Sequence, residues 1–185
     1  MKSKLFIIIS FFLLISCNND EDVLPKPSGF LRLDYPLKAY SKIETSHYRF
    51  EIPKNVNSFI NQKDWMKIEY PKLKASINIT YKPVNNNMGS LLAEAKKLTT
   101  KHRKKADAIY FETYENPTKK VYGQISNITG NAASSVQFLA TDREKHFLMG
   151  SLHFNTVPNY DSIYPAIKFI EKDILHLMET IQWKK

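Results

Sequence analysis

The sequence predicts an α+β fold, an antiparallel β-sheet of roughly six to eight strands with two amphipathic helices packed on one face. Three observations carry that expectation. Short runs alternate apolar and polar residues and stop at proline. Two stretches, Ser90–Lys105 and Ser162–Ile181, switch to helical spacing. Between them, Ala108 to Phe154 holds four alternating segments joined by short turns, the pattern of an antiparallel meander.

The chain opens on MKSKLFIIISFFLLISC. Lys2 and Lys4 precede an apolar run, Leu5 to Ile15, that is too short to span a bilayer as a stable helix. A charged start and an apolar middle are the marks of a secretory signal. The run ends in Leu14-Ile15-Ser16-Cys17, which resembles the bacterial lipobox, so Met1–Ser16 reads as a lipoprotein signal peptide. Cys17, the only cysteine of the chain, then becomes the lipidated, membrane-anchoring residue. Residues 17–27 follow as the lipidated cysteine and an acidic tether, with Asp20-Glu21-Asp22 at its start. Residues 28–185 form a single α+β domain. With Lys2 and Lys4 removed, the formal charge falls from +9 to +7. Export makes nucleic acid an unsuitable partner for that charge. It leaves anionic lipid, cell-wall polymers, an acidic partner protein, or a solvated surface with no particular partner. With no cysteine after Cys17, burial alone must hold the exported fold.

Along the domain, Phe30 to Tyr35 suits a strand stopped by Pro36. Arg49-Phe50-Glu51-Ile52-Pro53 and Lys67-Ile68-Glu69-Tyr70-Pro71 repeat the phrase basic, apolar, acidic, apolar, proline, and the three phrases are expected to mark strand ends on one sheet. Trp65 to Tyr81 is a hairpin turned at Pro71-Lys72. Met66, Ile68 and Tyr70 share one face, as do Ala75, Ile77, Ile79 and Tyr81. In the first helix, with its start offered by Gly89 and Ser90, Leu91, Ala95, Leu98 and His102 make a narrow core stripe. The remaining faces carry Lys96, Lys97, Lys101, Arg103, Lys104 and Lys105. Ala108–Tyr114, Lys120–Ile128, Ser134–Thr141 and His146–Phe154 are the meander. In the final helix, Ile163, Ile167, Ile170, Ile174, Leu177 and Ile181 form a long stripe flanked by Ala166 and Met178. Pro165 fits only in its first turn.

Chemical motifs are sparse. His146 and His153 lie seven apart on one strand and point to opposite faces, so they cannot share a metal. His102 and His176 sit in helices without a second ligand one turn away. No metal and no cofactor are expected. Ser134, Ser135, Asp142 and His146 are the residue types of a hydrolytic triad, but no Gly-x-Ser-x-Gly elbow positions a nucleophile. Glu112 and Glu115, three apart on a strand, face opposite ways and offer no glycosidase pair. The expected protein is therefore not an enzyme. Asp161-Ser162-Ile163 resembles an acceptor motif for O-glycans on exported Bacteroidota proteins, which makes Ser162 a candidate glycosylation site; a helix N-cap at Asp161 or Ser162 is the alternative. The sequence-level candidate for an interaction surface is the polar face around Asn131, Ser135, Gln137 and His146, where small residues interleave with polar ones.

Several blocks together resemble the gliding-motility lipoprotein GldD family: Pro25–Pro36, Trp65–Lys82, Lys120–Asn155 and Pro158–Trp183. Within them the phrase GNAASSVQF and the residues after it, TDREKHFLMGSLHF, are the most specific. Ser28 and Met149 stand where that family leads one to expect a basic residue. The resemblance implies a non-catalytic, membrane-anchored lipoprotein subunit of the gliding machinery of Bacteroidota and of the type IX secretion coupled to it. Such a subunit acts by protein–protein assembly in the cell envelope, at the outer membrane, with other gliding and secretion proteins as partners. At fold level the order of elements is similar to that of PsbP/Mog1-like domains, a likeness that carries no function. The alternative reading is a lipid-anchored binding module for a small ligand or cell-wall glycan, with a pocket lined by Tyr110, Tyr114 and Tyr122. A cryptic hydrolase would need Ser134 or Ser135 beside His146.

Overall fold

The computed structural model describes residues 39–156 and 159–184. The strand expected at Phe30–Tyr35 lies outside them, as do the signal peptide, Cys17 and the acidic tether. In chain order the elements are β1 (Tyr40–Glu44), β2 (Tyr48–Pro53), β3 (Asn57–Ile60), β4 (Met66–Tyr70) and β5 (Ala75–Pro83), then helix α1 (Met88–Thr100). The meander follows as β6 (Ile109–Asn116), β7 (Val121–Ile128), β8 (Val136–Thr141) and β9 (His146–Phe154). Helix α2 (Tyr160–Thr180) and the short β10 (Gln182–Trp183) end the described chain.

The strands make two antiparallel sheets. Seven strands run in the order β3-β4-β5-β9-β8-β7-β6, and three more in the order β1-β2-β10. The α+β class therefore holds, but the repeated proline-terminated phrases do not share a sheet. Arg49–Pro53 belongs to the small sheet and Lys67–Tyr70 to the large one. Two proline turns close large-sheet hairpins in the same way. Pro71–Leu73 and Pro117–Lys119 each form one 3-10 turn that ends in a left-handed lysine, Lys74 or Lys120.

The helices lie on opposite faces of the large sheet, not on one. Along β9, Leu148 and Leu152 face the cluster that contains Ile167, Ile170, Ile174, Leu177 and Met178 of α2. The intervening Phe147 and Met149 pack instead with Leu91 and Ala95 of α1. Strand alternation fixes this division: both faces of β9 are apolar, so each needs its own cover. The small sheet shares the α2 side, where Tyr48, Phe50 and Ile52 of β2 enter the same core.

Helix α1 starts earlier than expected, at Met88 behind Asn87, and its last turn tightens into a 3-10 segment over Lys101–Lys104. Leu98 does not join the buried stripe; Thr99 does. Helix α2 buries Ile167, Ile170, Ile174 and Leu177 of the expected stripe together with Asp173, and leaves Ile163 half-buried. Its cap is Asn159, whose side chain accepts from the Ser162 backbone N–H at 3.4 Å. Pro165 consequently sits inside the helix rather than in its first turn. The proline's missing donor would have served the carbonyl of Asp161, an exposed residue that water can satisfy.

Gly150 opposes Phe138 across β8 and β9. A Cβ built on Gly150 would stand 2.1 Å from the Phe138 ring, so the ring occupies the space a side chain would need. Gly150→Ala should lower stability by about 1–3 kcal/mol through overpacking, seen as a lower urea midpoint. The double variant Gly150→Ala/Phe138→Leu should recover part of that loss; a double variant no better than the single would show that the clash is not with the ring.

Candidate functional site

The sequence-predicted interaction residues do not form one surface. Asn131 is exposed, but Ser135, Gln137 and His146 are buried. Gln137 belongs to the α1 side, where its Oε1 accepts from the Thr99 hydroxyl at 2.7 Å. His146 points to the α2 side, where its ring stacks on Trp183 with centroids 5.2 Å apart. The alternation that put small and polar residues together in sequence sends them to different faces of the sheet.

The triad types are equally separated. The Ser134 hydroxyl donates to the carbonyl of Val136, and the Ser135 backbone pairs with Leu152 at one end of the β8–β9 hairpin. His146 pairs with Thr141 and Asp142 at the other end. The six steps along the strand from Ser135 to Thr141 put these groups roughly 20 Å apart at strand rise. Glu112 and Glu115 bond on different sides of β6, to Asn127 and Arg143. The aromatic pocket is not assembled either. Tyr110 and Tyr114 share a face of β6, while Tyr122 of β7 lies on the other side of the sheet, under Arg143 at 3.8 Å. Ser162 is exposed in the first turn of α2. His153 is held by Ser151 and the Ala133 carbonyl, facing away from His146 as expected. Among the described residues, no group of three or more His, Cys, Asp or Glu is placed to hold a metal ion.

Two features missed by sequence reasoning replace these candidates. The first is a chain of rings and carboxylates where the small sheet meets the large one. His47 Nδ1 lies 2.5 Å from Asp64 Oδ2, and the His47 ring stacks on Tyr81 at 4.5 Å. The Tyr81 hydroxyl lies 3.1 Å from His146 Nδ1. The Tyr48 hydroxyl donates to the backbone of Asp64. Burial lowers the affinity of His146 for a proton, outweighing the pull of the nearby Asp142. Burial alone would raise the Asp142 carboxyl, but N–H donors from His146, Glu144 and Lys145 hold it below the usual carboxylate range. Asp142 thus closes the β8–β9 turn, and the cluster works as a joint between sheets.

The second feature is a groove of about 740 Å³ between α1 and the large sheet, within the size of ligand sites. Its helix wall presents Leu92 and Leu98, exposed at 43% and 39%, and Phe111 of β6 stands opposite at 54%. The floor is built of amides and hydroxyls, including Asn78, Thr80, Gln124 and Ser126, around Met149 and Leu139. Lys96, Lys101 and Arg103 form part of its lining, and among the described residues no aspartate or glutamate does. His102 lies here too, its proton affinity lowered by burial and by the neighbouring His153. His153, bonded to the Ser151 hydroxyl at 2.9 Å, lines the same groove.

The lowered proton affinities carry a sign. Between the lowered folded value of His146 and the ordinary value of 6.5, the unfolded chain holds more protons than the folded one, so stability falls as pH drops below 6.5. His102 acts in the same direction. Urea midpoints should therefore decrease from pH 7.5 to pH 5.5, and His146→Gln should flatten that decline without abolishing it. An unchanged decline in the variant would remove His146 as a source.

No curated protein matches the chain. A family model described as gliding motility lipoprotein GldD matches residues 20–183. That span takes in every strand and both helices of the two sheets. The chain therefore belongs to the gliding motility lipoprotein GldD family.

Proposed function

We propose that this protein is a non-catalytic, membrane-anchored subunit of the gliding machinery and of the type IX secretion associated with it, acting by protein–protein assembly. The observation that carries this reading is the family match across residues 20–183. Membership gives a gliding-motility lipoprotein at the cell envelope. Assembly, the link to secretion and placement at the outer membrane are the finer parts of the proposal. The scattered placement of Ser134, Ser135 and His146 supports an assembly role over hydrolysis. Among the described residues no helix is long and apolar enough to cross a membrane, which agrees with attachment through lipid.

In this reading Met1–Ser16 is the signal peptide, Cys17 is acylated, residues 17–27 tether the anchor and residues 28–185 are the domain. One acyl chain binds a membrane only marginally, and the several expected on a processed lipoprotein give lasting attachment. Ser162, exposed near the start of α2, is accessible to a glycan transferase; intact mass of the native protein showing lipid additions alone would exclude that modification.

Two genetic measurements test the proposal. A deletion strain should lose gliding and secretion, and one that glides and secretes normally would defeat it. Cys17→Ala should abolish gliding although the domain keeps its urea midpoint; restored gliding by this untethered form would show that the anchor is dispensable.

A further inference from the structure

We infer that the groove between α1 and the large sheet is the docking site for an extended, acidic segment of a partner protein that carries apolar side chains. The inference rests on the assembly reading above and deepens it by naming the surface and the chemistry of its partner.

Charge is the first argument. Lys96, Lys101 and Arg103 line the groove, and none of them forms an ion pair with a described residue. With no carboxylate of the described residues in the lining, these three cations give the groove a positive potential that low-dielectric walls concentrate. Glu94, the one acid of α1, lies elsewhere and is engaged by Lys82 at 2.6 Å. The occupant is therefore anionic.

The apolar part follows from Leu92, Leu98 and Phe111. These three large side chains line one concavity; the other exposed large apolar residues, Phe59, Ile60, Trp65, Tyr110 and Tyr164, are scattered over β3 and its turn, β6 and α2. Leucines on a helix wall and a phenyl ring opposite them make a cleft for small apolar side chains. An acyl chain fits the floor badly, because Asn78, Thr80, Gln124 and Ser126 would be covered by hydrocarbon at the cost of their hydration. A bilayer surface cannot enter a concave site. Amides and hydroxyls do suit a peptide, whose backbone presents a donor and an acceptor at each residue. Carboxylates at the Lys96–Arg103 rim, a backbone over the polar floor and apolar side chains between Leu98 and Phe111 satisfy all three parts of the groove.

Photocrosslinking in the native cells tests this with the full chain. A benzoylphenylalanine replaces Leu98 in one strain and Phe111 in another, and crosslinked peptides are sequenced by mass spectrometry. Both positions should crosslink to a segment of a second protein rich in Asp and Glu with interspersed apolar residues. The triple variant Lys96→Glu/Lys101→Glu/Arg103→Glu should reduce the yield at least tenfold while keeping the urea midpoint. Lys54→Glu/Lys72→Glu, exposed elsewhere, should leave it unchanged. Added salt should reduce the yield in isolated envelopes. Crosslinks to lipid, glycan, a second copy, residues 18–38 of the same chain or a partner segment without acids would overturn the inference. So would no crosslink, or a yield indifferent to the triple variant. Any of these in a strain that needs the protein for gliding defeats the groove alone; normal gliding without the protein defeats the assembly reading.

Discussion

Helix α2 has to satisfy two sheets at once, and one carboxylate joins them. Asp173 is buried, with Oδ1 accepting from the Tyr40 hydroxyl at 2.9 Å and Oδ2 from Tyr70 at 3.2 Å. Tyr40 belongs to the small sheet and Tyr70 to the large one. Burial, with the adjacent carboxylate, pushes both phenols well above their ordinary pKa, so both stay protonated donors. One turn on, His176 stacks on Tyr40 at 3.8 Å and reaches Glu51 of β2 at 2.9 Å. The Thr180 hydroxyl accepts from the Glu51 backbone N–H. An apolar stripe alone would hold the helix against the large sheet; these polar contacts fix how the small sheet sits beside it.

Sheet width explains why the small sheet is there. Seven strands spaced about 4.8 Å apart make a face roughly 30 Å wide, whereas a helix with its side chains covers about 10–12 Å. One helix cannot cover such a face. On the α2 side β1, β2 and β10 fill the remainder, and Tyr48, Phe50 and Ile52 complete the core. On the other side α1 buries Phe147 and Met149, and beyond it the sheet is floored with Gln124 and Ser126 of β7, with Phe111 of β6 at the far rim. The groove is the uncovered part of a sheet too wide for its helix.

Element type was legible in the sequence where the apolar period was long. The α2 stripe from Ile163 to Ile181, the Trp65–Tyr81 hairpin and the meander all appear with boundaries shifted by a few residues. Tertiary assignments were less legible for definite reasons. The Arg49–Pro53 and Lys67–Pro71 phrases share one order of basic, apolar, acidic, apolar and proline, yet their strands have different partners, and partner choice is set by residues far along the chain. β9 is apolar on both faces, so its sequence called for cover on each side. That double burial is the sequence signal that the helices separate, and it lies in β9 rather than in either helix. The candidate interaction residues failed because Ser135, Gln137 and His146 were grouped by composition, while strand parity sends His146 to the opposite face. Leu98 was assigned to the core by its spacing, although a stripe of Leu91, Ala95 and Thr99 fits the sheet more closely and leaves Leu98 over the groove.

This asymmetry bears on how a tethered domain meets its partners. The α2 face is closed by its second sheet, with Tyr110 and Tyr164 left exposed at its edge, whereas the α1 face keeps exposed leucines beside cations that no described carboxylate neutralises. Exposed apolar surface is a liability for a free protein and is tolerated where a partner covers it. Long-range charge cannot orient the domain well, because physiological salt screens beyond about 8 Å. In the proposed reading a lipid anchor supplies what charge does not, since it confines the domain to the plane of the membrane and raises its effective concentration near anything held there. Under that confinement a modest groove suffices, and the affinity needed from Lys96, Leu98 and Phe111 is that of a contact made repeatedly at one surface rather than one found by diffusion through the envelope.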